Sequence, residues 1–391
     1  MCSYKNTLEG SNMSKEKIEV HGGNIYKILR ERNIDELLDY SSNINPYGIS
    51  ERLKSAILEN LNILERYPDP DYIKLRDKIA KMNKIDISNV ILGNGATEII
   101  FLFIKVLNPK KILIISPTFS EYERAIKSVQ DNVKEDINKV KIDYFQLMEK
   151  DDFNLNVKNI IKEIDKKYDL LIICNPNNPT GKFLSLKQME KIKKKCNKLD
   201  TKLFVDEAFI EFLENGKNQS IINTEKNKKN LLIIRAFTKF FAIPGLRLGY
   251  GFCFDKNLFS KINDKKEPWS VNNIAELAGI TVLDDIEYIK KTDDWIREEK
   301  KYIYSSLKRI KGIKPYKTEV NFILVKIDNN FINSGLNSKN LKEKMLEKGI
   351  LIRDASNFEY LDDSYFRLAI KDRKSNDIML RALKEIFFNR V

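Results

Sequence analysis

Lys239 and Arg247 sit eight residues apart in Arg235-Ala-Phe-Thr-Lys-Phe-Phe-Ala-Ile-Pro-Gly-Leu-Arg-Leu-Gly-Tyr250, directly after the apolar run Leu231–Ile234. A lysine held among apolar groups loses its proton easily and can attack an aldehyde carbon. A nearby arginine can grip a phosphate dianion through two parallel hydrogen bonds. The aldehyde-plus-phosphate cofactor that fits both is pyridoxal 5′-phosphate. Taken alone, a basic residue behind a strand is usually a solvated loop charge, so the rest of a pocket has to be found elsewhere in the chain.

Other stretches supply it. Asp206 closes the apolar run in Leu203-Phe-Val-Asp-Glu-Ala-Phe-Ile210. A carboxylate placed there needs a positive partner, and a protonated pyridine nitrogen is one. Asn175-Pro-Asn-Asn-Pro-Thr-Gly181 makes a rigid turn after another apolar run, with Asn178 able to donate to a ring oxygen. Gly93-Asn-Gly-Ala-Thr-Glu98 joins a strand pattern to a helix pattern. Backbone N–H groups at Gly95, Ala96 and Thr97 would then face outward from a helix start, where phosphate binds. Phe119, in Ser116-Pro-Thr-Phe-Ser-Glu-Tyr122, can stack on a flat ring. Tyr67, in Arg66-Tyr-Pro-Asp-Pro70, offers a loop hydroxyl. Each feature alone also has an ordinary explanation: a strand-end cap, a tight loop, a core aromatic, a surface tyrosine.

The elements that must position these residues follow from periodicity. Apolar runs at Val90–Leu92, Lys111–Ile115, Lys141–Phe145, Leu170–Cys174, Lys202–Val205, Leu231–Ile234 and Gly249–Phe254 alternate with amphipathic stretches such as Glu51–Asn60, Thr97–Val106, Phe119–Val129 and Leu186–Cys196. That alternation predicts an α/β fold, a mostly parallel seven-stranded sheet sandwiched by helices. A long helical pattern from about 286 to 311 leads into strands near Phe322–Ile327 and Tyr365–Ile370 and helices at Ser338–Lys348 and Asn376–Phe388, a smaller α+β domain. The expected division is a flexible arm over 1–20, a segment 21–48 packing with the small domain, a large cofactor-binding domain over 49–285 and the small domain over 286–391. Met13 is a second candidate start.

Composition narrows the class. The 391 residues are 42% hydrophobic and 32% charged, which fits a soluble globular chain with room for a large core. No apolar run is long enough to span a membrane, and the first residues hold no apolar signal core. Cys2, Cys174, Cys196 and Cys253 are scattered, without a paired motif for disulfide or metal, so a reducing cytoplasm and no metal are expected. The net charge of +13 is spread along exposed helix faces and loops, as in Lys191–Lys195. With no helix-turn-helix signature and no aromatic–basic interleaving, nucleic acid is not the expected partner.

The order Gly95-Ala-Thr, Phe119, Asn178-Pro-Thr-Gly, Asp206, Lys239, Arg247 resembles the fold-type I, aspartate-aminotransferase-like pyridoxal phosphate enzymes from about residue 21 to the end. Within them, His21-Gly-Gly-Asn, Tyr40-Ser-Ser-Asn-Ile-Asn-Pro, Arg66-Tyr-Pro-Asp-Pro-Asp-Tyr, Asp206-Glu-Ala-Phe-Ile-Glu-Phe, Pro268-Trp-Ser-Val-Asn and Leu351-Ile-Arg-Asp are similar to the L-threonine O-3-phosphate decarboxylases of cobalamin biosynthesis. Histidinol-phosphate aminotransferases are the next resemblance. Two positions depart from the aminotransferase pattern. Phe209 stands where a tyrosine usually holds the ring oxygen, which favours the decarboxylase. Ala236 stands where a serine touches the phosphate, leaving Thr97 or Thr238 to supply a hydroxyl.

The resemblance implies roles. Lys239 carries the cofactor and returns a proton to the α-carbon. Asp206 keeps the ring nitrogen protonated. Phe119 stacks, Asn178 holds the ring oxygen, and Arg247 with residues 95–97 and Thr238 holds the phosphate. Tyr67 reaches over from a partner subunit, making the enzyme a homodimer with shared sites. For a phosphorylated amino acid, Arg367 would take the carboxylate, Arg353 the phosphate, and His21 with Asn43 would complete the phosphate pocket, with Asn178 also among the substrate-binding residues. His21 is the single histidine of the chain.

Overall fold

The computed structural model describes residues 22–130, 140–224 and 228–388. The expected arm over 1–20 and His21 lie outside them.

Short β-rich apolar runs dominate the middle of the chain, and each becomes a strand. β2 (Val90–Asn94), β3 (Lys111–Ser116), β4 (Lys141–Gln146), β5 (Leu170–Cys174), β6 (Lys202–Asp206), β7 (Leu231–Ala236) and β8 (Leu248–Cys253) form one sheet in the order 2-8-7-6-5-3-4. Only β8 runs against its neighbours, β2 and β7; the other pairings are parallel. The runs are continuously apolar because both faces are covered. Leu113, Ile115, Leu171, Ile173, Leu203 and Val205 enter one core, and Ile112, Ile114, Leu170, Ile172 and Phe204 enter another on the opposite face. The expected mostly parallel, seven-stranded, helix-covered sheet is therefore what the chain forms.

A second sheet joins β9 (Ile313–Pro315), β10 (Phe322–Ile327), β12 (Arg353–Asp354) and β13 (Tyr365–Ala369) in the antiparallel order 12-13-10-9. The helices Ile286–Leu307, Ser338–Leu346 and Arg373–Phe388 accompany it. A two-residue strand, β1 (Leu38–Asp39), pairs in parallel with β11 (Ile350–Leu351). Periodicity cannot announce pieces this short, and β1, β9, β11 and β12 went unpredicted. No helix among the described residues is long and apolar enough to cross a membrane.

Candidate active site

Six strands of the large sheet run one way, so their carboxyl ends share an edge, where open α/β sheets bind ligands. Asp206 is the last residue of β6 and Cys174 the last of β5, partners in register. Asn94 ends β2 and Gly95 follows it, and Ala236 ends β7 and leads into Thr238 and Lys239. Arg247 comes immediately before β8; because β8 is reversed, its beginning lies at the same edge. One antiparallel strand thus brings an arginine to the helix start after β2.

A cavity of about 440 Å³ opens there. Gly95, Ala96, Thr97, Phe119, Asn178, Asp206, Thr238, Lys239 and Arg247 line it, and so do Asn43, Arg353 and Arg367. Tyr67 does not; it is 80% exposed and packs against Trp269 with ring centroids 5.0 Å apart.

The phosphate end is built from backbone. The helix Gly95–Leu107 has no side-chain cap, so its first N–H groups are offered outward. Gly95 has φ +74° and donates its N–H to the Arg247 carbonyl at 2.6 Å. A Cβ on Gly95 would come within 2.7 Å of Arg247 Nη2, so the guanidinium lies directly over a position only glycine can hold. Gly249 is equally constrained: a Cβ there would meet the Ala96 nitrogen at 2.2 Å.

At the ring-nitrogen end, Asp206 is 4% exposed. Ala208 donates its N–H to Oδ1 at 2.8 Å, and the Tyr122 hydroxyl donates to Oδ2 at 2.5 Å. Burial raises the carboxyl above its usual range, with Tyr122, the Ala208 N–H and Lys239 pulling the other way. Lys239 donates to Thr238 Oγ1 at 3.1 Å. Burial, then the Arg247 charge, lowers its amine to about 8, against the pull of Asp206, so neutral nucleophile is available near neutrality.

A further wall of the cavity carries a pair of arginines. Arg353 on β12 and Arg367 on β13 are direct cross-strand partners, and each is 5% exposed. Like charges placed opposite each other in a sheet repel. Burial, then Arg353, pushes Arg367 down to about 9, still above neutrality. Arg367 donates to Asn178 Oδ1 and, at 2.6 Å, to the Ser41 carbonyl. Among the described residues its Nε has no hydrogen-bond partner, nor does the buried Oδ1 of Asn43. Arg353 donates to Asn357 Oδ1 at 2.7 Å and lies 5.5 Å from the Phe358 ring centre. Two buried guanidiniums stand on neighbouring strands at the cavity wall, a positive field that favours an anionic ligand.

The segment 39–45 ties both ends together. The Tyr40 carbonyl accepts from the Ala369 N–H, that of Ser41 accepts from Arg367, and that of Asn43 accepts from Asn321 Nδ2. Asn45 then donates its N–H to the Lys239 carbonyl and its amide to the Phe240 carbonyl.

Sequence reasoning missed several residues of the cavity wall: Ser41, Ser42, Cys174 and Phe358. It also missed Tyr122 as a ligand of Asp206. Tyr122 stood inside a quoted motif, three residues after Phe119, but nothing local says that its hydroxyl crosses to β6.

The sequence matches the family described as Aminotransferase class I and II over residues 35–383. The chain belongs to that family. Threonine-phosphate decarboxylase of Salmonella typhimurium is 34% identical over 94% of this chain and 96% of its own. A Caldanaerobacter subterraneus subsp. tengcongensis protein, provisionally named a threonine-phosphate decarboxylase, is 40% identical over 95% of both. Among solved structures, the histidinol-phosphate aminotransferase of Clostridium acetobutylicum is similar with a TM-score of 0.81 and 38% identity, covering 90% of this chain and 100% of that one. This member of the family is a pyridoxal 5′-phosphate enzyme, and the cavity fits the cofactor: an uncapped helix start under an arginine, a buried carboxylate and a lysine of lowered basicity. Among the described residues no group of side chains could hold a metal ion.

Proposed function

We propose that this enzyme decarboxylates L-threonine O-3-phosphate to (R)-1-amino-2-propanol O-2-phosphate and CO2, a step of cobalamin (vitamin B12) biosynthesis. The observation that carries the proposal is the register of Arg353 against Arg367 at the wall of the lysine's cavity. A substrate with a carboxylate at one end and a phosphate at the other neutralises both guanidiniums at once. The full-length similarity to threonine-phosphate decarboxylases supports the same substrate.

When bound, pyridoxal phosphate supplies an electron sink for the pair left behind at the α-carbon. The protein's part is placement. Lys239 would hold the cofactor through its carbonyl carbon, Asp206 would pair with its ring nitrogen, and Phe119 would stack on the ring. The helix start at 95–97, Thr238 and Arg247 take its phosphate. Arg367 would grip the substrate carboxylate and Arg353 its phosphate, with Asn43 beside the phosphate. Fixing both anions sets which bond at the α-carbon stands perpendicular to the ring, and so which bond breaks. The bond between the α-carbon and the carboxyl carbon breaks, CO2 leaves, and Lys239 Nζ returns one proton to the α-carbon. Phe209 keeps the ring-oxygen side free of a phenol and packs on Phe322 at 4.9 Å.

We also propose a cytoplasmic homodimer. Tyr67 and Trp269 are large exposed aromatics away from their own cavity, suited to completing a partner's site.

The 38% identity to a histidinol-phosphate aminotransferase favours one second reading, transfer of an amino group from that phosphorylated amine to a keto acid. The two readings separate cleanly. Threonine phosphate supplied without any keto acid releases CO2 at a catalytic rate if the enzyme is the decarboxylase. No CO2, together with turnover of histidinol phosphate only when a keto acid is present, would establish the aminotransferase.

A further inference from the structure

We infer that Tyr122 is the positioning residue that fixes the Asp206 carboxylate for the cofactor's ring nitrogen, and so sets how tightly the ring is held.

Tyr122 is fully buried in the first turn of the helix Glu121–Gln130. Its ring stands edge-on to Phe119 at 5.7 Å and to Phe204 at 6.2 Å, which leaves the hydroxyl one direction, toward Asp206 Oδ2. The opposite oxygen is held by the Ala208 N–H, so both carboxylate oxygens are fixed and the plane of the group cannot turn. Burial and the Asp206 charge hold the phenol well above its usual range, so Tyr122 remains a donor at any pH the enzyme meets. A donor that never ionises stabilises the carboxylate and not the acid.

The groups facing Asp206 from the packed elements limit what else could do this. From β5, Cys174 is buried and pushed up to about 12, a neutral thiol. From the end of β7 comes Lys239, whose amine is committed to the cofactor. The chain neighbour Glu207 is paired with Arg235 at 3.0 Å. Tyr122 is thus the one side chain among these that donates a hydrogen bond to Asp206. Because Tyr122 and Phe119 flank one turn, the residue against the ring's face and the residue behind its nitrogen's partner move as a unit.

The test is Tyr122→Phe, which removes one oxygen and keeps the ring packing. The inference rests on the cofactor alone and is indifferent to which reaction follows. The dissociation constant of pyridoxal phosphate, measured by absorbance after ultrafiltration, should rise roughly ten- to a hundredfold, the range for a hydrogen bond to a charged group. The pH titration of the bound cofactor's absorption band should shift. The turnover number should fall with KM for threonine phosphate little changed. Thermal unfolding of the cofactor-free protein, run alongside, separates a site effect from a folding effect. An unchanged dissociation constant and band titration in a folded variant would overturn the inference. So would losses no larger than those of Cys174→Ala, which removes a neighbour but no donor to Asp206.

Discussion

Arg353→Gln is the sharpest perturbation of the proposed substrate site. Glutamine can still reach Asn357 but carries no charge. Two effects follow, of opposite sign. The substrate phosphate loses a charge-assisted interaction, about 1.5–3 kcal/mol, or on the order of ten- to a hundredfold in KM for threonine phosphate. The unliganded protein loses the repulsion that Arg353 exerts on Arg367, so Arg367 becomes easier to keep charged and the empty site is relieved. Plain threonine has a carboxylate and no phosphate, so its affinity, measured as competitive inhibition of CO2 release, should hold or improve slightly. Arg367→Gln should weaken both ligands. A second assay avoids turnover altogether. Inorganic phosphate at a hundred times its dissociation constant stabilises the native state by about 2.7 kcal/mol, visible as a rise in Tm of the wild-type protein and lost in Arg353→Gln. Equal losses for threonine and threonine phosphate, or an undiminished phosphate effect on Tm, would show that the phosphate lies elsewhere.

Three further outcomes are expected. Capture of pyridoxal phosphate by the cofactor-free enzyme requires the neutral amine of Lys239, held near 8, so its rate should climb with pH up to about 8 and then level; a rate still climbing steeply at pH 10 would mean an ordinary lysine, and Lys239→Ala should abolish both covalent capture and turnover. Asp206→Asn keeps the shape and removes the charge, and turnover should drop more than tenfold, about 1.4 kcal/mol; a smaller drop would separate the carboxylate from the ring. Gly95→Ala drives a methyl to 2.7 Å from Arg247 Nη2 at φ +74°, so cofactor affinity should fall with the phosphate cup, and ordinary affinity in that variant would refute the cup as drawn.

The large sheet was legible because its strands are covered on both faces and therefore written as unbroken apolar runs between amphipathic helices. Residues at strand ends inherited that legibility, and Asp206, Asn178, Gly95, Lys239 and Arg247 do meet at one edge. Arg353 was legible as a member of Leu351-Ile-Arg-Asp, but its face-to-face register with Arg367 depends on β12, two residues long, which carries no period to read. Tyr122 was hidden for a different reason: its hydrogen bond spans eighty-four positions. Segment 39–45 looked like a loop of serines and asparagines, and its contacts are made largely by main-chain carbonyls, which no side-chain pattern encodes.

That segment has a mechanical consequence. The Ser41 carbonyl is bonded to Arg367 and the Asn45 N–H to the Lys239 carbonyl, four residues further on. Four residues of extended chain reach at most roughly 14 Å, so the Arg367 guanidinium and the Lys239 carbonyl are leashed to each other by a tether of fixed length. While both hydrogen bonds hold, opening of the cavity can separate Arg367 from Lys239 only as far as residues 41–45 extend.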